Sequence, residues 1–118
     1  MISLHWDGDG LSYDKGCFYV SVPDKIKNME PVASYWQEHD RLGQALIDAL
    51  SESGYKISGS GHMAIDLTQM SYSTVPSVDI ELGNAASAHD DATLSNMASA
   101  LVKGISGIYT EFSTGSSG

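Results

Sequence analysis

The sequence predicts an α+β fold: an antiparallel β-sheet of about four to six strands with two amphipathic helices packed on one face. Three observations predict it. Period-two alternation of apolar and polar residues, which marks half-buried strands, recurs near residues 2–7, 63–68 and 77–82. Two longer stretches carry apolar residues at spacings of three and four, which marks helices. Turn residues separate the strands as in hairpins, and the regular strand–helix alternation of a parallel sheet is absent.

The elements follow in order. Ile2, Leu4 and Trp6 alternate with Ser3, His5 and Asp7. Asp7-Gly8-Asp9-Gly10 is turn chemistry, because glycine accepts positive φ. Cys17 to Val22 reads as a second strand ended by Pro23, and a hairpin with a loop over 7–16 joins the two. After a polar connector, Pro31 suits the first turn of a helix. Val32, Tyr35, Trp36, His39, Leu42, Leu46 and Leu50 form its apolar stripe, and Gly54 is the expected left-handed stop. Ser34 and Gln37 have the spacing of a capping box. Gly43, within the stripe, either costs about 1 kcal/mol of helix stability relative to Ala or lets another element come close.

Tyr55-Lys56-Ile57 is a short candidate strand, and Gly59-Ser60-Gly61 reads as a turn. Met63, Ile65 and Leu67 then alternate with Ala64, Asp66 and Thr68; Val78, Ile80 and Leu82 alternate with Ser77, Asp79 and Glu81. These two strands are expected to pair as an antiparallel hairpin. Asn84 and Ser87 both suit the N-cap of a second helix, with Asp90 and Asp91 placed where the helix dipole favours anions. Its stripe runs through Leu94, Met97, Leu101 and Ile105, and Gly104 or Gly107 would end it. Ile108 to Phe112 reads as a last strand. A single domain over 1–112 and a flexible Gly/Ser tail over 113–118 complete the organisation.

Charge narrows function. Fifteen Asp and Glu oppose six Lys and Arg, a formal net charge of −9. Charged residues make up 18% of the chain, against roughly 25% in ordinary domains. The imbalance therefore comes from missing bases, and Lys103 is the only one after residue 59. Such a surface excludes the usual direct grip on nucleic-acid phosphates and a polybasic membrane contact. It attracts basic proteins over a Debye length of about 8–10 Å. One cysteine, Cys17, excludes an intrachain disulfide and favours a reducing compartment. The N-terminus lacks a secretory pattern and no apolar run approaches a membrane span, so a cytoplasmic location is expected.

Catalytic motifs do not surface. His5, His39, His62 and His89 are not spaced as metal-binding pairs. The Asp7-Gly8-Asp9-Gly10 string fails as a calcium loop, because Leu11 and Phe18 occupy the fifth and twelfth positions. Neither a nucleophile elbow nor a phosphate-binding lysine loop occurs. The expectation is therefore no enzyme, no cofactor and no metal.

An acidic face is the one positive signal. Asp66, Asp79 and Glu81 fall on the polar side of the predicted hairpin, whose strands would lie about 4.8 Å apart. Neither strand carries Lys or Arg. Asp66, Asp79 and Glu81, with Tyr72 as an aromatic contact, form the expected partner-binding set. In size, acidity and absence of catalytic motifs the chain resembles small phage or plasmid proteins that block host defence, such as anti-CRISPR proteins and DNA mimics. That resemblance implies a non-catalytic inhibitor occupying the basic surface of a nucleic-acid-binding protein. Two alternatives stand beside it: an immunity protein for a basic nuclease toxin, or a virion or assembly subunit forming a homo-oligomer through its sheet edge and apolar patches.

Overall fold

The alternating segments do form strands, but they do not pair as hairpins. A computed structural model describes residues 1–8 and 10–114, apart from the side chains of 68, 69 and 111–114. Its elements are β1 (Ile2–Asp7), β2 (Cys17–Ser21), α1 (Val32–Glu52), β3 (Ile57–Ala64), the single turn α2 (Thr68–Ser71), β4 (Val78–Asn84) and α3 (Asp91–Thr114). The strands form one sheet in the order β1-β4-β2-β3. β1 runs parallel to β4, β2 parallel to β3, and only β2 and β4 are antiparallel.

The fold is thus α+β with two long helices, as expected, but the four-stranded sheet is mixed. The β1–β2 hairpin is absent because β4 lies between its two strands. The pairing of the 63–68 segment with β4 is absent because β2 separates β3 from β4. Burial accounts for the centre of the sheet. Val78, Ile80 and Leu82 of β4 are 1%, 0% and 8% exposed, and a strand with such an apolar face loses more water inside the sheet than at its edge. β2, α1 and β3 form a strand–helix–strand crossover, the unit that brings parallel strands together.

α1 begins and ends close to its sequence signals. Pro31 sits at its N-cap, but the Ser34–Gln37 box does not form. Instead the Glu30 carboxylate accepts from the Ser34 amide at 2.9 Å and from its hydroxyl at 2.6 Å. Gly54 follows at φ +92°, and the Tyr55 amide donates back to the Leu50 carbonyl. Gly43 serves close approach: a Cβ there would lie 2.6 Å from Cγ of the Tyr19 ring.

β3 joins two segments that the sequence pattern divides into separate strands. Gly59 and Gly61, at φ +52° and +93°, make a bulge inside the strand rather than a turn. The register against β2 shifts there, as extra residues in one strand require. Ile65 and Leu67 lie beyond the strand, so the alternation from 63 to 67 is only partly strand.

α3 departs furthest from expectation. Asp90 is the capping side chain, accepting from the Thr93 hydroxyl at 2.7 Å and its amide at 3.3 Å. The helix runs through Gly104, Gly107 and the expected strand 108–112 to Thr114. Packing overrides propensity here. Ile108 continues the buried stripe at 6% exposure, and Gly104 lets α3 approach α1, where a Cβ would meet Leu46 at 3.1 Å and Ala49 at 3.2 Å. Of the tail expected over 113–118, Ser113 and Thr114 end α3, and residues 115–118 lie outside the described residues. Among the described residues no helix is long and apolar enough to cross a membrane.

Both long helices cover one face of the sheet, around a core that includes Cys17, Tyr19, Leu46, Leu50, Ile80 and Met97. The Cys17 thiol donates to the Leu82 carbonyl at 3.3 Å. Burial, with a smaller push from Asp14, raises its pKa to about 11. His39 is 3% exposed, and its Nδ1 accepts the Ser77 amide hydrogen at 3.0 Å just before β4. That bond places the ring proton on Nε2, which is buried without a partner among the described residues. Burial lowers the His39 pKa below its ordinary 6.5. The neutral ring is the folded form, so its contribution is complete above the ordinary value and is lost as pH falls from there through the lower folded value. Urea unfolding between pH 7.5 and 5 is expected to show stability falling with pH in wild type, with a shallower slope in His39→Gln. Equal slopes would show that this ring does not set the dependence.

Candidate active site

Asp79 and Glu81 alternate with the core-facing residues of β4, so their side chains lie on the sheet face opposite the helices. Parallel pairing of β1 with β4 sets Ser3 beside Asp79 and His5 beside Glu81. On the other side, antiparallel pairing sets Phe18 opposite Glu81. β4 is an interior strand, so neighbours on both sides shield its outward groups. The Asp79 side chain is only 5% exposed, whereas that of His5 is 56% exposed.

The result is a compact cluster. One ligand-capable atom from each of His5, Asp79 and Glu81 lies within 4.8 Å of the other two. His5 Nδ1 is 3.4 Å from Asp79 Oδ1, and His5 Nε2 is 3.0 Å from the Ser3 hydroxyl. Asp79 Oδ1 and Glu81 Oε2 are buried without hydrogen-bond partners among the described residues. Buried carboxylate oxygens ordinarily find donors, so two such orphans on one patch call for a bound cation or a proton.

Electrostatics point the same way. Burial raises the Asp79 pKa, partly offset by His5. Burial also raises that of Glu81, with repulsion from Asp79 adding to it and His5 opposing. Nearby, Lys15 Nζ pairs with Asp7 at 2.7 Å and lies 5.0 Å from the Phe18 ring centre. The loop behind this pair is tied to the end of β4: the Lys15 amide donates to Asn84 Oδ1 at 3.1 Å and Asn84 Nδ2 donates to the Tyr13 carbonyl at 2.9 Å.

The residues expected to bind a partner are not brought together as one exposed wall. Asp66 is exposed but lies beyond the end of β3, with β2 between that strand and β4. Asp79 is buried and Glu81 half-buried. Tyr72 is half-buried and packs on the small cluster of Val22, Ile26 and Val32. Sequence spacing offers no reason to group His5 with Asp79 and Glu81. Its parity on β1, shared with Ser3 and Asp7, is the one available signal, and it acquires meaning only through the β1–β4 pairing.

No protein-family model and no curated protein sequence matches the chain. Solved structures do. The fold is similar to the apo form of the N-acetylmuramyl-L-alanine amidase Ami1 from Mycobacterium abscessus, with a TM-score of 0.65 and 25% identity over 90% of this chain and 52% of that one. It is also similar to Ami1 from Mycobacterium smegmatis, with a TM-score of 0.68 and 24% identity over 90% of this chain and 51% of that one. The chain thus spans about half the length of the amidases it resembles. This likeness overturns the non-catalytic reading. The structures that this fold resembles are amidases, not anti-CRISPR proteins, DNA mimics, immunity proteins or assembly subunits. No contiguous motif marks the cluster, because its residues come from two strands far apart in the sequence.

Proposed function

We propose that this chain takes part in hydrolysis of the amide bond between N-acetylmuramic acid and L-alanine in peptidoglycan, with His5, Asp79 and Glu81 as its active-site residues. The observation that carries this reading is the cluster itself: two buried, unpartnered carboxylate oxygens and an accessible imidazole, in a fold shared with Ami1.

The donors are of the kinds zinc takes, one imidazole nitrogen and carboxylate oxygens, all within 4.8 Å of one another. Catalytic zinc takes imidazole nitrogen and carboxylate oxygen at about 2.0–2.2 Å in a tetrahedron, which puts neighbouring donors about 3.4 Å apart. The 3.4 Å between His5 Nδ1 and Asp79 Oδ1 matches that edge. When bound, such a metal supplies Lewis acidity and eases ionisation of water.

The chain's own groups divide the remaining work. The raised pKa that burial and Asp79 give Glu81 makes its ionised carboxylate a stronger base, suited to take a proton from the attacking water and return it to the departing alanine nitrogen. Asp79 Oδ1, 3.4 Å from His5 Nδ1, would hold the metal together with that nitrogen. Phe18, 3% exposed beside Glu81, keeps water from one flank of the carboxyl.

Zinc titration by calorimetry and digestion of peptidoglycan sacculi test the proposal. One zinc per chain is expected, with release of new L-alanine amino groups that stops on EDTA treatment. Failure of Asp79→Asn and His5→Ala to weaken zinc binding would overturn the cluster's role.

A further inference from the structure

We propose that the Lys15–Asp7 pair is a subsite for the peptide residue that follows the alanine, and that it selects a carboxamide there over a free carboxylate. The inference rests on the hydrolysis reading and narrows its substrate. Lys15 lies just before β2 and Asp7 ends β1, while β4 runs between those two strands. Lys15 Nζ reaches Asp7 Oδ2 at 2.7 Å. The pair therefore spans β4 beyond Glu81, toward Asn84, which stands beside Asp7. The Phe18 ring centre is 5.0 Å from the ammonium, and Phe18 is also the residue opposite Glu81. The charges of Asp7 and Lys15 both act on the Glu81 carboxyl.

Reach agrees with this placement. Asp7 is two residues past His5, about 6.5–7 Å along the strand. An extended peptide covers about 3.3–3.6 Å per residue. A substrate whose scissile amide lies at His5 and Glu81 thus carries its second peptide residue to the pair. Chemistry then selects the group. Lys15 supplies N–H donors and Asp7 supplies acceptor oxygens. A carboxamide matches both: its oxygen accepts from Lys15, and its N–H donates to Asp7. A carboxylate brings no donor for Asp7 and is repelled by it, and repulsion of the wrong group is a common source of specificity. The side chains of Lys15 and Asp7 are 18% and 26% exposed, and partial burial strengthens attraction and repulsion alike. The chain's formal charge of −9 opposes an anion as well.

The probes are N-acetylmuramyl-L-alanyl-D-isoglutamine and N-acetylmuramyl-L-alanyl-D-glutamate, both capped as γ-methylamides, so that they differ only in the group at the pair. Each is titrated into the chain by NMR with EDTA present, which keeps it from being cleaved. The isoglutamine form is expected to bind about tenfold or more tighter. Lys15→Met is expected to weaken that form about tenfold, which a general repulsion of anions would not do to a neutral ligand. Asp7→Asn is expected to abolish the preference by removing the repulsion. Equal affinities in wild type, a tighter glutamate form, or no binding of either would overturn the inference, and these readings need no variant. Unchanged isoglutamine affinity in a folded Lys15→Met would overturn it too. Zinc calorimetry on the same preparation separates the two claims: zinc bound without a preference removes the subsite alone, whereas no zinc bound removes the hydrolysis reading with it.

Discussion

Glu81→Gln is expected to cut amide hydrolysis by about 10²–10⁴-fold, the usual contribution of a positioned acid–base group, while making the folded chain more stable at neutral pH. The two effects share one cause. Burial and Asp79 raise the Glu81 pKa in the fold. A carboxyl whose folded pKa exceeds its unfolded value favours folding most below the unfolded value, and that advantage is lost as pH rises through the folded value. At pH 7 the ionised group is a burden that the amide does not carry. Thermal melts between pH 4 and pH 8 should show the largest gain for Glu81→Gln at the upper end. Retained hydrolysis would remove Glu81 from the reaction, and a loss of stability at pH 7 would make it a structural residue.

Leu46→Ala is expected to destabilise the domain by about 2–5 kcal/mol, the range for a fully buried leucine. Leu46 is 0% exposed and stands where three things meet: the sheet's helix-covered face, α1, and the close passage of α3 at Gly104. That passage leaves little room for collapse around a deleted side chain, because the two helices are already in close contact there. Against a total of about 5–15 kcal/mol, the loss is a large share. Urea titration of both proteins measures it. A change under about 1 kcal/mol would mean that α3 does not close over α1.

The fold is legible where local pattern decides and hidden where distant pattern does. α1 can be bounded from Pro31, its apolar stripe and Gly54, because each acts within one or two turns. The end of α3 cannot. Gly104 and Gly107 weaken a helix in isolation, but contact between Gly104 and α1 outweighs that local cost, and the contact is not encoded nearby. Strand positions are readable from alternation; strand partners are not, since a period of two says which face a residue takes and nothing about its neighbour. The site shows the same division. Asp79 and Glu81 stand out as uncompensated acids, yet the inference from polar parity to solvent exposure fails at a strand with neighbours on both sides. His5 enters the cluster only through a pairing between strands more than seventy positions apart in register, Ile2 with Val78 and His5 with Glu81.

Cys17 gives the molecule a built-in clock. Its sulfur is the chain's lone thiol, sealed between sheet and helices and held protonated near neutrality by a pKa of about 11. Alkylating reagents attack the thiolate, so each labelling event records one episode in which the two layers part. The labelling rate of the population therefore reports the opening frequency at a single atom, without an added fluorophore or tag.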